Sequence, residues 1–308
     1  MMSHGTPILV LGAGELGMSV LRNLAKRAAS FSGTTLTVLL RPSTIASHAP
    51  SKQQDIAELH SLGVKFLFGD LVADSTTNLS ALFRDFHTVI GCTGFVAGRS
   101  IQLKLARAVL DADVRRYFPW QFGVDYDVIG RGSAQDLFDE QLEARDRLRS
   151  QNRTEWVIVS TGMFTSFLFE PTLGVVDLAQ NTVHALGNWD TAVTVTTPED
   201  IGTLTAEILF AKPRVVNRIV YNTAGDTITY ARLADIVDSV LGRKVQRVEW
   251  SVPKLKNELA QDPDDPIKKY RVVFAQGKGV SWEVHKTFNA QRKIEVLGVE
   301  RWAQENLK

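Results

Sequence analysis

The segment Pro7–Val20, PILVLGAGELGMSV, constrains this chain more tightly than any other. An apolar run of strand type ends on Gly12, and Gly14 and Gly17 follow as Leu16, Val20, Leu24 and Ala28 take up helical spacing. The glycines read G-x-G-x-x-G between a strand and a helix, where each has a task. Gly12 makes the tight turn, Gly14 lets backbone approach a pyrophosphate, and Gly17 lets helix and strand pack closely. The helix start adds N–H groups and positive dipole. Gly12, Ala13, Gly14, Glu15, Leu16 and Gly17 are therefore candidate contacts for dinucleotide phosphates.

This unit opens a series. "TLTVLLRP" reads as a buried strand stopped by Pro42, and "SKQQDIAELHSLG" as a helix capped by Gly63. "VKFLFGD", "HTVIGCTG", "RRYFPWQFG" and "TEWVIVSTG" continue as strands, with "NLSALFRDF", "SIQLKLARAVLDAD" and "DLFDEQLEARDRLR" as the helices between them. Alternation at this spacing implies right-handed crossovers and an α/β fold built on a doubly wound parallel sheet. After Gly162 the rhythm changes to an aromatic-rich stretch, short strands and amphipathic helices. The expected division is residues 1–160 for nucleotide binding and 161–308 for a smaller α+β substrate domain, with some later segments returning to the first sheet. "NELAQDPDDPIKKY" reads as a polar surface loop between helices.

The end of the second strand selects the cofactor. An aspartate or glutamate there would hydrogen-bond a ribose 2′-hydroxyl; this chain has Arg41, with Ser43 and Thr44 beside it. A guanidinium with hydroxyls suits a 2′-phosphate, so the expected cofactor is NADP(H) and not NAD(H). Lys52 adds charge from the next helix start. Thr93 and Gly94, ending the fourth strand, either border the cofactor or serve the local backbone.

The helix "DLFDEQLEARDRLR" poses a separate question. At ~100° per residue its Leu137, Phe138, Leu142, Ala144 and Leu148 share an arc, and Gln141 and Arg145 fall inside it, one turn apart. Two polar side chains on an inward face point to a ligand and not to packed hydrocarbon. Tyr126 is a candidate phenol donor or a packing residue. Phe164, Phe167, Phe169 and Trp189 form either a pocket floor for a flat substrate or simple core. His184 reads as a strand-edge residue, Ser160 and Thr161 end a strand and either face the site or serve backbone hydrogen bonding, and Glu199 and Asp200 read as helix-capping acids.

Bulk properties exclude other classes. With 35 basic and 34 acidic residues, net charge +1, no surface for a polyanion such as nucleic acid is expected. The single cysteine, Cys92, excludes an internal disulfide and thiol metal clusters, and no metal is expected. No apolar run approaches ~20 residues, and "MMSHGTP" is no signal sequence, so a cytoplasmic protein without membrane partners is the expectation.

The array "VLGAGELG", "LLRPST", "GVKFLFGDL", "DFHTVIGCTG", "VRRYFPWQFGVDYD" and "STGMF" resembles the isoflavone reductase-like branch of the NmrA-like proteins, closest to the fungal members. These are atypical relatives of the short-chain dehydrogenases/reductases, and the branch includes phenylcoumaran benzylic ether and pinoresinol–lariciresinol reductases. The resemblance spans nearly the whole chain. It implies a Rossmann domain with a smaller C-terminal substrate domain, NADPH, and aromatic or phenylpropanoid-like substrates. It also places Gly12–Gly17 on the family's glycine loop, here one residue shorter, and Arg41 and Lys52 on its 2′-phosphate pair. "FPWQFG" stands where plant members have Pro-Ser-Glu-Phe-Gly, so Trp120 and Gln121 replace a serine and a glutamate beside the substrate. On the following helix Arg145 keeps a family arginine near the cofactor, while Gln141 stands where plant reductases carry a lysine proposed as acid/base. An amide cannot exchange protons as such a lysine does, though it can hydrogen-bond a substrate oxygen or hold a water.

The resemblance thus implies an NADPH-dependent reductase of a small aromatic or polyketide-type metabolite, acting on a C=O, a conjugated C=C or a benzylic carbon, as monomer or homodimer. The missing lysine keeps two alternatives open: an NADP(H)-binding redox-sensing regulator, or a cofactor-bound isomerase or cyclase.

Overall fold

The computed structural model describes residues 6–212 and 219–307. The opening MMSHG, where a leader was sought, and Asn217–Arg218, where the sequence starts a strand, lie outside them. The strands are β1 (Pro7–Leu11), β2 (Thr35–Leu40), β3 (Lys65–Phe68), β4 (Thr88–Gly91), β5 (Arg116–Phe118), β6 (Glu155–Ser160) and β7 (Met163–Phe164). They continue as β8 (Val176–Asp177), β9 (Thr182–Leu186), β10 (Ala192–Thr196), β11 (Ile219–Asn222), β12 (Asp226–Thr229) and β13 (Gln246–Trp250). The helices are α1 (Glu15–Ala28), α2 (Pro42–Ile45), α3 (Pro50–Ser61), α4 (Thr76–Phe83), α5 (Ile101–Asp111), α6 (Tyr126–Ile129) and α7 (Leu137–Arg149). After them come α8 (Pro198–Leu209), α9 (Tyr230–Leu241), α10 (Val252–Gln261), α11 (Pro266–Ala275), α12 (Phe288–Arg292) and α13 (Val299–Asn306).

The chain divides into two compact units. The first comprises Met1–Gln121, Glu143–Val159 and Ile201–Val220; the second comprises Phe122–Leu142, Ser160–Asp200 and Tyr221–Lys308. The sequence places the division near residue 160. In the structure one boundary lies there, between Val159 and Ser160, and others inside α7 and α8 give 122–142 to the second unit and return 201–220 to the first. A boundary inside a helix leaves no break in composition, hydropathy or turn residues for the sequence to betray.

The first unit is built on the seven-stranded sheet β11-β6-β5-β4-β1-β2-β3. From β3 through β2, β1, β4 and β5 to β6 each neighbouring pair is parallel. The order reverses between β1 and β4, the switch point at which such sheets receive ligands. Both faces of the central strand are covered, so Ile8, Leu9, Val10 and Leu11 are each 0% exposed and read as one apolar run instead of an alternation. Leu16, Val20, Leu21 and Leu24 form the buried stripe of α1. Helix ends follow their local chemistry: Ser75 Oγ accepts from Asn78 N–H at the start of α4, and Gly63, at φ +70°, closes α3 in a conformation that L side chains resist.

The second unit holds the sheets β12-β10-β7 and β13-β9-β8. β10 runs antiparallel to β12 and parallel to β7; β9 runs parallel to β13 and antiparallel to β8. At the start of α8, Thr197 Oγ1 accepts from Asp200 N–H at 3.1 Å and donates to the Asp200 carboxylate at 2.9 Å, a reciprocal cap. The polar stretch read as a loop over 257–270 is loop only between α10 and α11. Asp265 caps α11 by accepting from Ile267 and Lys268 N–H, and Pro266 takes the first helical position, where its missing N–H costs nothing.

Candidate cofactor and substrate residues

The first unit carries the dinucleotide apparatus. Gly12 has φ +97°, and a Cβ there would stand 2.6 Å from Thr93 Oγ1. A Cβ on Gly17 would stand 2.2 Å from the Gly12 carbonyl oxygen, so α1 can approach β1 this closely only with a glycine. Gly14 is the opposite case, because a Cβ there meets nothing within 4 Å. The loop is thus tight where it must fold and open where a phosphate would lie. The ladder of α1 begins with Met18 N–H to Gly14 C=O, which leaves the amides of Glu15, Leu16 and Gly17 ahead of it, on the positive end of the helix dipole. Leu16 itself is buried, so its contribution there is the amide and not the side chain.

At the end of β2, Arg41 and Ser43 are exposed. Asp70, beyond β3, has its carboxyl held below the usual range by N–H groups of Ala73 and Val72 and, more weakly, by the charges of Arg41 and Lys104. Lys52 bonds Asp55 at 3.0 Å, a half-buried pair of small worth that a doubly charged phosphate can displace. These residues fit a nucleotide bearing a 2′-phosphate: an open glycine cradle, leading amides, and a guanidinium where an acid would repel it.

Thr93 serves the backbone, its hydroxyl donating to Leu11 C=O at 3.0 Å. The space beside Gly94 is taken by Trp120, whose ring lies 2.6 Å from the position of an added Cβ, and Phe95 meets Trp120 edge to face at 4.7 Å. Trp120 is half-buried. Gln121 and Arg145, both 0% exposed, are joined by a hydrogen bond from Arg145 Nε to Gln121 Oε1 of 2.8 Å. Through this bond the Arg145 guanidinium anchors the loop after β5. Gln141 is likewise 0% exposed, so the inward polar positions read from the helical wheel are inward in the fold.

The second unit carries the aromatic residues. Tyr126 is 2% exposed, its phenol folded over Gly123 and its ring edge-on to Phe138 at 4.9 Å, which is a packing position. Phe138 meets Tyr270 at 5.9 Å, and Tyr270 meets Phe167 at 6.0 Å, both edge to face. Phe164, Phe167 and Phe169 are half-buried, and Phe169 stacks on Trp302 at 4.7 Å. His184 is a packing residue: it stacks on Trp250 at 4.0 Å, its Nδ1 lies 2.7 Å from Gly174 O, and burial lowers its pKa. The hydroxyls of Ser160 and Thr161 are buried without a hydrogen-bond partner among the described residues, so backbone pairing does not account for them.

Tyr270 was not foreseen. It is half-buried in α11, no hydrogen bond engages its phenol among the described residues, and burial pushes its pKa up to about 12. The sequence gives no local signal for it, because its aromatic partners lie more than a hundred residues away. Among the described residues, no group of three or more His, Cys, Asp or Glu could hold a metal ion, and no helix is long and apolar enough to cross a membrane.

The NmrA-like family model matches residues 5–291. Over 299 residues the chain is 48% identical to an NmrA-like family domain-containing oxidoreductase of Gibberella moniliformis (strain M3125 / FGSC 7600), covering 97% of each. Among solved structures, isoflavone reductase is similar at a TM-score of 0.79 and 19% identity, covering 98% of this chain and 99% of that one. AtPrR2 with NADP+ and (+)pinoresinol is similar at 0.75 and 18%, covering 99% of each. The two structural likenesses establish a shared fold, while the family match and the Gibberella identity, both over nearly the full length, establish descent: this chain belongs to the NmrA-like family.

Proposed function

We propose that this chain is an NADPH-dependent reductase of a small aromatic or polyketide/phenylpropanoid-like metabolite. The observation that carries this is the glycine loop at the β1/β4 switch point: closed at Gly12 and Gly17, open at Gly14, with Arg41 exposed at the end of β2. The oxidoreductase name of the Gibberella relative and the NADP+ and pinoresinol of AtPrR2 support the same reading.

In this reading the leading amides of α1 hold the pyrophosphate, and Arg41, with Ser43, holds the 2′-phosphate. Bound NADPH supplies a hydride. Phe164, Phe167 and Phe169 offer faces to a flat substrate, and Trp120 shields the strand-end loop from water. Gln141 is a positioning residue, since a side chain with no exposed surface acts through its neighbours. The proton comes from water or a phenol.

The test is a titration of NADPH and NADH by nicotinamide fluorescence, then NADPH oxidation with aromatic ketones, enones and benzylic ethers. NADPH binding at least tenfold tighter than NADH, with turnover of one class, is the expected result. A redox-sensing regulator is the second reading, favoured by the absence of any lysine from α7. It requires different affinities for NADP+ and NADPH with no turnover. Equal affinities remove it.

A further inference from the structure

The sheet β13-β9-β8 of the second unit ends on β13, whose far side has no strand beside it among the described residues. Other outer strands of that unit offer little: β7 and β8 are two residues long, and β12 has no exposed residue. β13 runs five residues in unbroken register with β9, and Gln246, Arg247, Val248 and Glu249 are all exposed. No proline, lysine or bulge interrupts it, so its only defence against edge pairing is charge. Those charges, Arg247 and Glu249, are of opposite sign and do not repel their own antiparallel image.

The direction of the edge groups follows from the ladder. Gln246 N–H donates to Asn181 C=O at 2.8 Å, and Trp250 C=O accepts from Gly187 N–H at 2.9 Å. In a parallel pair alternate residues serve the neighbour, so Gln246, Val248 and Trp250 are the ones bonded to β9. The N–H and C=O groups of Arg247 and Glu249 therefore point outward, and they bond no backbone among the described residues. The Arg247 side chain is already oriented, its Nη2 donating to Asp235 at 2.6 Å and to Asp238 at 2.9 Å. Its Nε and Nη1 lie outside those two bonds.

Only registers that oppose outward-pointing residues can close an antiparallel ladder across this edge. Centred on Arg247 or on Glu249, a two-fold axis would bring like charges face to face. Centred on Val248, it opposes Arg247 of each copy to Glu249 of the other, and each such pair exchanges both backbone hydrogen bonds. Val248, 36% exposed, then meets its own copy across the axis.

We propose that two copies of this chain pair through β13, antiparallel about Val248, so that their three-stranded sheets become one continuous sheet. The occupant is a second copy because the order of charges on this edge is complementary to itself, in the one register that also aligns the hydrogen bonds. A strand of five residues buries little area, so the dimer is a weak one that forms at high concentration. The edge is independent of the reductase reading, because every residue it uses lies outside the dinucleotide apparatus.

Sedimentation equilibrium of the full chain over a concentration series, together with disulfide trapping, tests it. Facing residues of a non-hydrogen-bonded pair have Cα atoms about 4.5 Å apart, within disulfide range. Val248→Cys should therefore cross-link two copies on oxidation, while Gln246→Cys, off the axis, should not; Cys92 is buried and does not compete. Glu249→Pro removes an outward N–H and leaves the bonds to β9 intact. It should weaken dimerisation at least tenfold, with circular dichroism and NADPH affinity unchanged. Glu249→Arg, which opposes arginine to arginine, should do the same. A wild type that stays monomeric, no cross-link at Val248→Cys, equal cross-linking at Gln246→Cys, or an undiminished dimer in Glu249→Pro each overturns the proposal. Failure of NADPH to bind the wild type would instead remove the reductase reading and leave this edge standing.

Discussion

Gly14 and Gly17 are three residues apart, and an added methyl group at the two should have opposite consequences. Gly17→Ala puts carbon 2.2 Å from the Gly12 carbonyl oxygen, which forces α1 off β1. Overpacking of this kind costs about 1–3 kcal/mol, so the urea midpoint should fall. Gly14→Ala meets nothing within 4 Å and should keep wild-type stability while NADPH binding drops at least tenfold, since the methyl occupies phosphate space. Wild-type NADPH affinity in Gly14→Ala would sink the cradle assignment. Arg41→Gln probes the other end of the nucleotide. A charged hydrogen bond contributes about 1.5–3 kcal/mol, so preference for NADPH over NADH should shrink roughly 10- to 100-fold with NADH affinity unaltered. Parallel loss of both cofactors would mean that Arg41 supports the loop and not the phosphate. These residues were legible in the sequence because their tasks are local: a turn, a close approach and a strand end are written within a few positions. Thr93 and Gly94 were less so, because what fills the space beside them, the backbone of Leu11 and the ring of Trp120, comes from other strands.

At the scale of elements, α7 shows what periodicity can and cannot say. The wheel placed Gln141 and Arg145 inward, and both are 0% exposed. It could not name the partner of Arg145, because Gln121 sits 24 positions upstream after β5. The same limit hid Tyr270, whose neighbours Phe138 and Phe167 are brought to it only by the tertiary fold. Conversely, the strands and helices of the first unit were legible because a doubly wound sheet imposes long apolar runs separated by amphipathic helices. The Arg145–Gln121 contact predicts a stability change that distinguishes two substitutions. Gln121→Leu strips the acceptor from a buried guanidinium and should lower stability by about 1.5–3 kcal/mol. Gln121→Glu keeps an acceptor and adds the opposite charge, so its loss should be smaller. Chemical denaturation of the pair decides the matter: equal midpoints for Leu and Glu would show that the contact contributes nothing.

Across the whole molecule the buried titratable groups set an alkaline limit. Tyr117 and Tyr230 are both 0% exposed, and Cys92 is buried; burial raises the pKa of each above its ordinary value, for Tyr117 with the added influence of Cys92. A raised folded-state pKa means that the folded chain holds its protons where the unfolded chain releases them. The resulting stability is fully present below the unfolded values and is lost as pH climbs toward the folded ones. The loss should begin near the ordinary thiol value and steepen beyond the ordinary phenol value. One pH unit above the latter, each tyrosine contributes about 1.4 kcal/mol of destabilisation. Neither phenol has a hydrogen-bond partner among the described residues, so replacing both by phenylalanine removes titration without breaking a bond. Tyr117→Phe/Tyr230→Phe should therefore match or exceed wild-type stability at neutral pH and lose less on going to about pH 11, by roughly 3 kcal/mol in total. Guanidinium unfolding curves at both pH values measure the difference. Parallel losses in the two proteins would mean that the phenols are not what ties this fold to its protons, and that ionisation elsewhere governs its alkaline unfolding.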